Sequence, residues 1–585
     1  MQQNNKNILL ATILSAVILL SWTWLYEKPK MEKMEQEKKI LAATKPSAEA
    51  VKTIDGNALA TLAANPQEAI LALKNRDEIL SHSKENRIEI KSENLHGSIS
   101  LKGARFDDLT LAKYFTTTEK KEEVTLFSPA ESKERYFTDF GWISSDSTLE
   151  MPKPETIWKS SSNKLTPENP VILSWRNKQN VEFLIKISLD ENYMFDISQS
   201  VKNYSKQEIS VASYGRINRT LNNVQKAIYI LHEGPIGVFS DILHEVSYSD
   251  LIEEKKQNFS GTGGWLGITD KYWLSSIIPD KQISYNASFN YSSSNKNNFF
   301  NSEFIGQEFK VLAGEEIKFD HHLFAGAKDI KLLDRYSKDY DAKLFDRAVD
   351  FGWFYFLTKP FLFIIEMLNK LLGNFGLAIL AMTVLIKLAL FPMANKSYAA
   401  IGKIKKLQPK IEALRTRLKG DKLAMNREMM ELYKSENVNP ASGCLPILIQ
   451  IPVFFALYKV LYVTLDMRHA SFYGWIHDLS APDPTSIFNL FGLLPFSVSS
   501  AFTIGIWPIL MGVTMVIQQK LSPTSADPTQ AKILKWMPFV LTFVLAAFPA
   551  GLVIYWTWSN SLSILQQWVI SKKLNQETSH LSKLS

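Results

Sequence analysis

A lysine stands inside an apolar run. Lys387 lies within Leu377-Ala378-Ile379-Leu380-Ala381-Met382-Thr383-Val384-Leu385-Ile386-Lys387-Leu388-Ala389-Leu390-Phe391. Near the centre of a bilayer a lysine costs roughly 2.5–3.5 kcal/mol even on insertion scales, so it needs water or a partner. Thr383 precedes it by one helical turn and shares its face. A second polar stripe recurs in a later apolar run at Trp556, Asn560, Ser563 and Gln567, with Tyr555 and Ser559 beside it, and Gln450 adds an amide in a third. These runs contain no Asp or Glu that could neutralise Lys387. One fixed positive charge among hydroxyls and amides is the composition of a hydrated cavity able to attract anionic segments. The groove residues expected from this pattern are Lys387, Thr383, Gln450, Asn560 and Ser563. The plain alternative is a snorkelling lysine: Pro392 follows by five residues, about 7–8 Å along a helix, within reach of a lysine stem.

Other chemistry has little support. His321-His322 is the one adjacent histidine pair, in an alternating stretch that reads as a strand, where neighbours point to opposite faces and cannot share a metal. Structural histidines are expected there. No metal-ligand cluster or nucleophile–base arrangement emerges, so neither a cofactor nor an enzymatic activity is expected.

The elements that must position Lys387 divide the chain into two halves. Residues 8–26 form an apolar run after Lys6 that ends in an aromatic cluster without a cleavage motif; at ~1.5 Å per residue it is about 28 Å long, enough to span. It is read as a signal anchor (1–27), followed by a flexible tether rich in Lys, Glu and Ala (28–85). From 86 to 345 apolar residues alternate with period two, as in Val181, Phe183, Ile185, Ile187 and Leu189, between turn residues, predicting an antiparallel β-sandwich. After Lys359-Pro360, the helical spacing of Phe361, Ile364, Ile365, Leu368 and Leu372 predicts an amphipathic interfacial helix, with Glu366, Asn369 and Lys370 opposite, in a linker region 346–373. Five further spans are expected in a core region 374–572, near 375–393, 445–465, 501–519, 536–548 and 550–569, then a tail 573–585. The expected fold is thus a six-span α-helical membrane protein with a large all-β extracytoplasmic domain. Residues 487–496, apolar but broken by Asn489, Gly492 and Pro495, are read as interfacial.

Charge supports this topology. Loop 394–441 carries eleven basic residues against five acidic, whereas loop 466–500 has only Arg468. Lys520, Lys532 and Lys535 follow the fourth span, and Lys572, Lys573 and Lys583 the last. Positive charge on alternate loops places both termini in the cytoplasm. Within 394–440, Ile404, Leu407, Ile411, Leu414 and Leu418 are spaced as a heptad seam. Gly420-Asp421 interrupts it, and Met425, Met429 and Leu432 resume it, predicting an antiparallel helical hairpin. Its basic surface, with Lys403, Lys405, Lys406, Lys410, Arg415 and Arg417, is either a solvated face or a docking surface for an acidic partner such as ribosomal RNA or a targeting receptor.

Composition sets the outer bounds. The mean hydropathy is near neutral only because a polar half offsets an apolar one. A net charge of +7 over 585 residues does not indicate a nucleic-acid binder. The single cysteine, Cys444, falls in the membrane half, so the extracytoplasmic domain must hold together without disulfides.

Several motifs then occur in order. Asn439-Pro440-Ala441-Ser442-Gly443-Cys444-Leu445-Pro446 with Leu448-Ile449-Gln450-Ile451-Pro452-Val453-Phe454-Phe455-Ala456-Leu457-Tyr458 resembles the third-span signature of the YidC insertase family. Leu407-Gln408-Pro409-Lys410, Trp475-Ile476-His477-Asp478-Leu479-Ser480, Phe548-Pro549-Ala550-Gly551-Leu552-Val553-Ile554-Tyr555-Trp556, Phe391-Pro392 and Gly263-Gly264-Trp265 resemble others. The resemblance implies a bacterial inner-membrane insertase and chaperone for nascent membrane proteins, working alone or beside the Sec translocon, with ribosome contact, a periplasmic β-supersandwich and no small-molecule substrate. It implies a positively charged groove open to cytoplasm and lipid. It also implies a greasy path for the client's apolar segment, whose family positions match Thr383, Ile451, Phe454, Tyr555 and Trp556. Where the family usually has an arginine in the groove, this chain has Lys387, which keeps the charge and loses the planar fork. Tyrosine is the commoner residue at the position of Trp556. A transporter using Lys387 at a midplane site is the alternative, against which stands the absence of an internal repeat. A carbohydrate-active sandwich is a third reading, without a suitably placed carboxylate pair to support it.

Overall fold

The computed structural model describes residues 75–584 except 223, 225–230, 295–296, 419–420, 437–444, 493, 495–502 and 522–527. The expected anchor 1–27, most of the tether and Cys444 lie outside the described residues. The described residues fall into two compact units: residues 75–395 with 445–584, and residues 396–436.

Alternating burial builds the larger unit's sandwich. In Val181–Leu189 all five odd-numbered apolar residues are buried while their neighbours are not, as the period-two pattern requires. One sheet is ordered Lys256–Thr262, Ser284–Ser294, Asn297–Gly306, Ile209–Thr220, Tyr136–Ile143, Arg105–Phe115, Leu95–Ser100, Arg87–Lys91, Lys164–Leu165. The other is ordered Ile242–Glu245, Gly234–Phe239, Trp265–Thr269, Trp273–Ile278, Glu316–Ala327, Met194–Asn203, Val181–Leu189, Val171–Arg176, Lys159–Ser160. Aromatic rings close the space between them, with Phe106 of the first sheet edge-on to Phe195 of the second at 5.3 Å. The adjacent histidines divide as their strand position demands. His321 is fully buried between Ser213 and the Asp280 amide, while His322 pairs with Asp196 on the other face.

Helices α1 (Arg76–Ser83), α2 (Tyr248–Glu254) and α3 (Ile330–Asp339) accompany the sandwich. Helix α4 (Tyr355–Leu372) replaces the shorter helix expected over 361–372: it starts six residues earlier and carries Pro360 inside. Its inward stripe is Thr358, Leu362, Ile365 and Leu368, whereas Leu372 is exposed. Glu366, expected on a solvated side, pairs with Lys331 of α3, and Lys359 bridges Asp334 (2.7 Å) and Asp346 (2.9 Å). These ion pairs, absent from any local pattern, tie the start of the helical region to the end of the sandwich.

The bundle comprises α5 (Phe375–Ala389), the start of α6 (Phe391–Arg417), α8 (Leu445–Val463), α9 (Ile506–Leu521), α10 (Pro528–Leu545) and α11 (Ala550–Leu584), with α7 (Lys422–Ser435) in the smaller unit. The predicted second span is therefore divided at Leu390, its last residues belonging to α6. Among the described residues no single helix is long and apolar enough to cross a membrane; α5 and α6 meet that requirement only together, bent by 70°. Helices α9 and α10 approach so closely at Gly512 that a Cβ there would lie 2.3 Å from Thr542 Oγ1.

The segment 470–485 fastens one end of this bundle. Asn374, the N-cap of α5, donates its side-chain amide to the Ser471 carbonyl (3.2 Å). Buried Asp483 receives the Trp507 amide at the start of α9 (2.9 Å). The first amides of α11, at Ala550 and Gly551, donate to the carbonyls of Ala481 (2.7 Å) and Leu479 (3.0 Å). Helix starts leave such amides unsatisfied unless something caps them, and one loop here caps three.

In the smaller unit, Ile404, Leu407, Ile411 and Tyr433 form an apolar cluster between α6 and α7. Lys410 pairs with Glu436 (2.7 Å) and Arg417 with Glu428, so rising numbers on α6 meet falling numbers on α7. That register is antiparallel. Asp421 caps α7 by accepting the Leu423 and Ala424 amides.

Candidate functional site

The site is built where α5, α8 and α11 meet. Lys387, one turn from the end of α5, turns its Nζ inward and donates to Ser563 Oγ at 2.8 Å. Ser563 donates its own hydroxyl to the Ser559 carbonyl (2.9 Å), so its oxygen presents a lone pair to the ammonium. No ion pair to Lys387 occurs among the described residues. The amine is directed toward α11.

The other groove residues distribute around this contact. Thr383 is buried and donates to the Ile379 carbonyl (2.7 Å), a bond made within its own helix. Gln450 of α8 donates to the Tyr555 hydroxyl of α11 at 2.7 Å. Asn560 donates to Thr514 of α9 (3.2 Å), and Gln567 is buried with its Oε1 unpartnered. Lys387 and Ser563 are thus brought together directly, while Thr383, Gln450 and Asn560 make other bonds. Of the residues matching the greasy path, Phe454 packs on Trp556 with centroids 4.7 Å apart, Ile451 is exposed, and Tyr555 is buried under its bond to Gln450.

Three participants escaped the sequence reading. Thr514 is a lone hydroxyl in α9 whose role depends on a partner 46 residues away. Asn395, at the start of α6, accepts from Gln566 of α11 (3.0 Å). Lys459, a charge within apolar α8, pairs with Asp350 at 2.6 Å, and Asp350 also accepts the amides of His232 and Gly352. The signal for Lys459 was its charge inside the run Val453–Val463.

Polarity is reversed relative to a water-soluble bundle. On α11, Asn560, Ser563 and Gln567 are buried, while Leu565, Trp568 and Val569 are each more than half exposed. Helix α10 exposes Trp536, Phe539, Val540 and Phe543 to a similar degree. Apolar surface on this scale opposes water, whereas in lipid it is the expected exterior. The six candidate docking residues lie on α6, where Lys410 and Arg417 are engaged with α7.

A helical bundle with a buried polar stripe and an apolar exterior, joined to a β-sandwich, defines a membrane-embedded protein that carries a large folded domain outside the bilayer. A family model described as the YidC periplasmic domain matches residues 87–364, and one described as the 60Kd inner membrane protein matches residues 367–577. The membrane protein insertase YidC of Rickettsia bellii is 49% identical over 577 residues, covering 98% of this chain and 100% of the relative; that of Rickettsia massiliae is 48% identical over 574 residues at the same coverage. A crystal structure of an active YidC insertase with its first transmembrane domain resolved is similar at 17% identity and a TM-score of 0.34, over 82% of this chain and 92% of that one. The chain belongs to the YidC family of membrane protein insertases, inner-membrane proteins with a periplasmic domain and without enzymatic activity.

Proposed function

We propose that the chain integrates nascent membrane proteins by drawing the hydrophilic segment of a client toward Lys387 while its apolar segment moves into lipid along Ile451, Phe454, Tyr555 and Trp556. The observation that carries this reading is the Lys387–Ser563 contact: an amine held inside the bundle by a hydroxyl, without a counter-carboxylate among the described residues, can attract an incoming carboxylate. Thr383, Gln450 and Asn560 complete the polar groove, and lysine serves in place of arginine because attraction needs a charge, not a bidentate fork.

In this reading the chain crosses the inner membrane six times with both termini in the cytoplasm and the sandwich in the periplasm. The α6–α7 hairpin meets the ribosome or a targeting receptor through Lys403, Lys405, Lys406, Lys410, Arg415 and Arg417. The chain works alone or beside the Sec translocon. Reconstitution of the purified chain into pure lipid vesicles tests the core of the proposal. Integration of a short membrane protein is the expected result, and accumulation of a solute without integration would establish a transporter instead.

A further inference from the structure

The sandwich contains a cavity of about 320 Å³ that the insertion pathway does not use. Its wall includes Tyr136, Arg219, Glu233, Asp270, Lys271 and Trp273. Arg219 and Asp270 neutralise each other at 2.5 Å, and Arg219 lies over the Tyr136 ring. Lys271 and Glu233 behave differently. Glu233 accepts the Lys271 backbone amide through Oε1 (2.9 Å), and neither side chain makes an ion pair among the described residues. The Lys271 amine lies instead over aromatic faces, 4.8 Å from the ring centre of Tyr272 and 3.8 Å from that of Tyr462. Burial holds this amine below its ordinary value, at about 8.

The cavity therefore offers one cation and one anion that make no salt bridge among the described residues, inside an aromatic wall and with no net charge. A purely anionic ligand would satisfy Lys271 and face Glu233; a purely cationic one would do the reverse. A ligand carrying one charge of each sign satisfies both. Position narrows the class further. Tyr462 is the penultimate residue of α8, so the Lys271 amine touches the end of an apolar bundle helix. If α8 lies in the bilayer, as the proposed function has it, this is the level at which lipid headgroups sit.

We infer that the cavity binds the zwitterionic headgroup of an aminoethyl phospholipid, with the phosphodiester at Lys271 and the ammonium at Glu233 against the aromatic wall. This inference rests on the membrane placement of α8 but not on the insertion mechanism. Native mass spectrometry of the delipidated full-length chain, titrated with dioleoyl phosphatidylethanolamine or dioleoyl phosphatidylglycerol, tests it. Retention of the ethanolamine lipid at least tenfold over the glycerol lipid is expected, with displacement by soluble glycerophosphoethanolamine. Glu233→Gln preserves an oxygen for the Lys271 amide and should remove the preference, as should Lys271→Gln. Equal retention of the two lipids, no displacement by the soluble headgroup, or an unchanged preference in Glu233→Gln would each overturn the inference. Client integration by Glu233→Gln is expected to persist, so failure of the groove mechanism registers in a separate assay.

Discussion

The Lys387 ammonium and the Ser563 hydroxyl, 176 residues apart in sequence, meet at 2.8 Å between α5 and α11. A hydroxyl can orient an ammonium without cancelling its charge, which a carboxylate could not do. The charge–hydroxyl pair is consequently the place where the insertion mechanism is most exposed to test.

Lys387→Arg should retain client integration, Lys387→Glu should abolish it, and Lys387→Ala should fall between, failing most with acidic translocated tails. One charge pair at ~4 Å and an effective dielectric near 20 is worth about 4 kcal/mol before desolvation, and a net 1.4 kcal/mol changes occupancy about tenfold. The measurement is integration yield across clients that differ only in acidic tail residues. Equal loss with neutral and acidic tails in Lys387→Ala would exclude charge attraction. Ser563→Ala should preserve the charge and produce a smaller defect of the same kind.

Substitutions at two places on the basic hairpin have different expected phenotypes. Changing Lys403, Lys405 and Lys406 to Glu should weaken ribosome binding about tenfold or more, with a salt dependence that flattens as the charges are lost. Arg417→Ala removes an exposed ion pair to Glu428 and should lower hairpin stability by no more than ~1 kcal/mol. Ribosome sedimentation over a salt series reads the first, and proteolytic susceptibility of the hairpin reads the second.

Asp350 and Lys459 form a mostly buried pair, so removing either partner leaves an uncompensated charge. Lys459→Ala or Asp350→Ala should each cost about 3–5 kcal/mol, measured by thermal unfolding in detergent, and the double variant less than the two losses added. Burial alone would raise the Asp350 carboxyl; Lys459 and the His232 and Gly352 amides outweigh it and hold the group below its ordinary value. A depressed carboxyl contributes stability above the unfolded value near 3.9, lost as pH falls through the lower folded value. Asp350→Asn should erase that part of the acid transition.

His321 gives the sandwich a second pH dependence of known sign. Burial lowers its value to about 3, so the folded chain keeps it neutral while the unfolded chain protonates it near 6.5. Between those values the unfolded state binds more protons, and stability falls as pH falls. The full effect is on the order of 5 kcal/mol, reached near pH 3. Equilibrium unfolding of His321→Gln at pH 7 and pH 4 should show a smaller difference than the parent does.

The period-two run Val181–Leu189, the heptad seam at Ile404, Leu407 and Ile411 and the polar stripe of α11 were all legible because each is a local periodicity set by one buried face. Lys387 was legible because a charge in an apolar run is conspicuous. The identity of its partner was not, since Ser563 is one of several polar residues on its stripe and only the packing of α5 on α11 selects it. The same holds for Thr514 with Asn560 and for Lys459 with Asp350. Helix α4 began earlier than expected because Pro360 was read as a boundary, whereas the ion pairs of Lys359 and the packing of Thr358 carry the helix through it.

The loop 470–485 gives the bundle a mechanical asymmetry. By capping the first turns of α9 and α11 and accepting a hydrogen bond from Asn374, the N-cap of α5, it fixes the three helix starts relative to one another. Arg468, just before it, donates to the Phe115 carbonyl of the sandwich, adding the folded domain's inertia to that end. Lys387 lies thirteen residues beyond Asn374, roughly 20 Å along α5 at ~1.5 Å per residue. A helix pivoting about its fastened start moves in proportion to distance from the pivot, so a tilt of about 5° displaces Lys387 by roughly 2 Å and the capped turn hardly at all. The bundle is a lever whose fulcrum is the loop, and its widest travel falls at the charge.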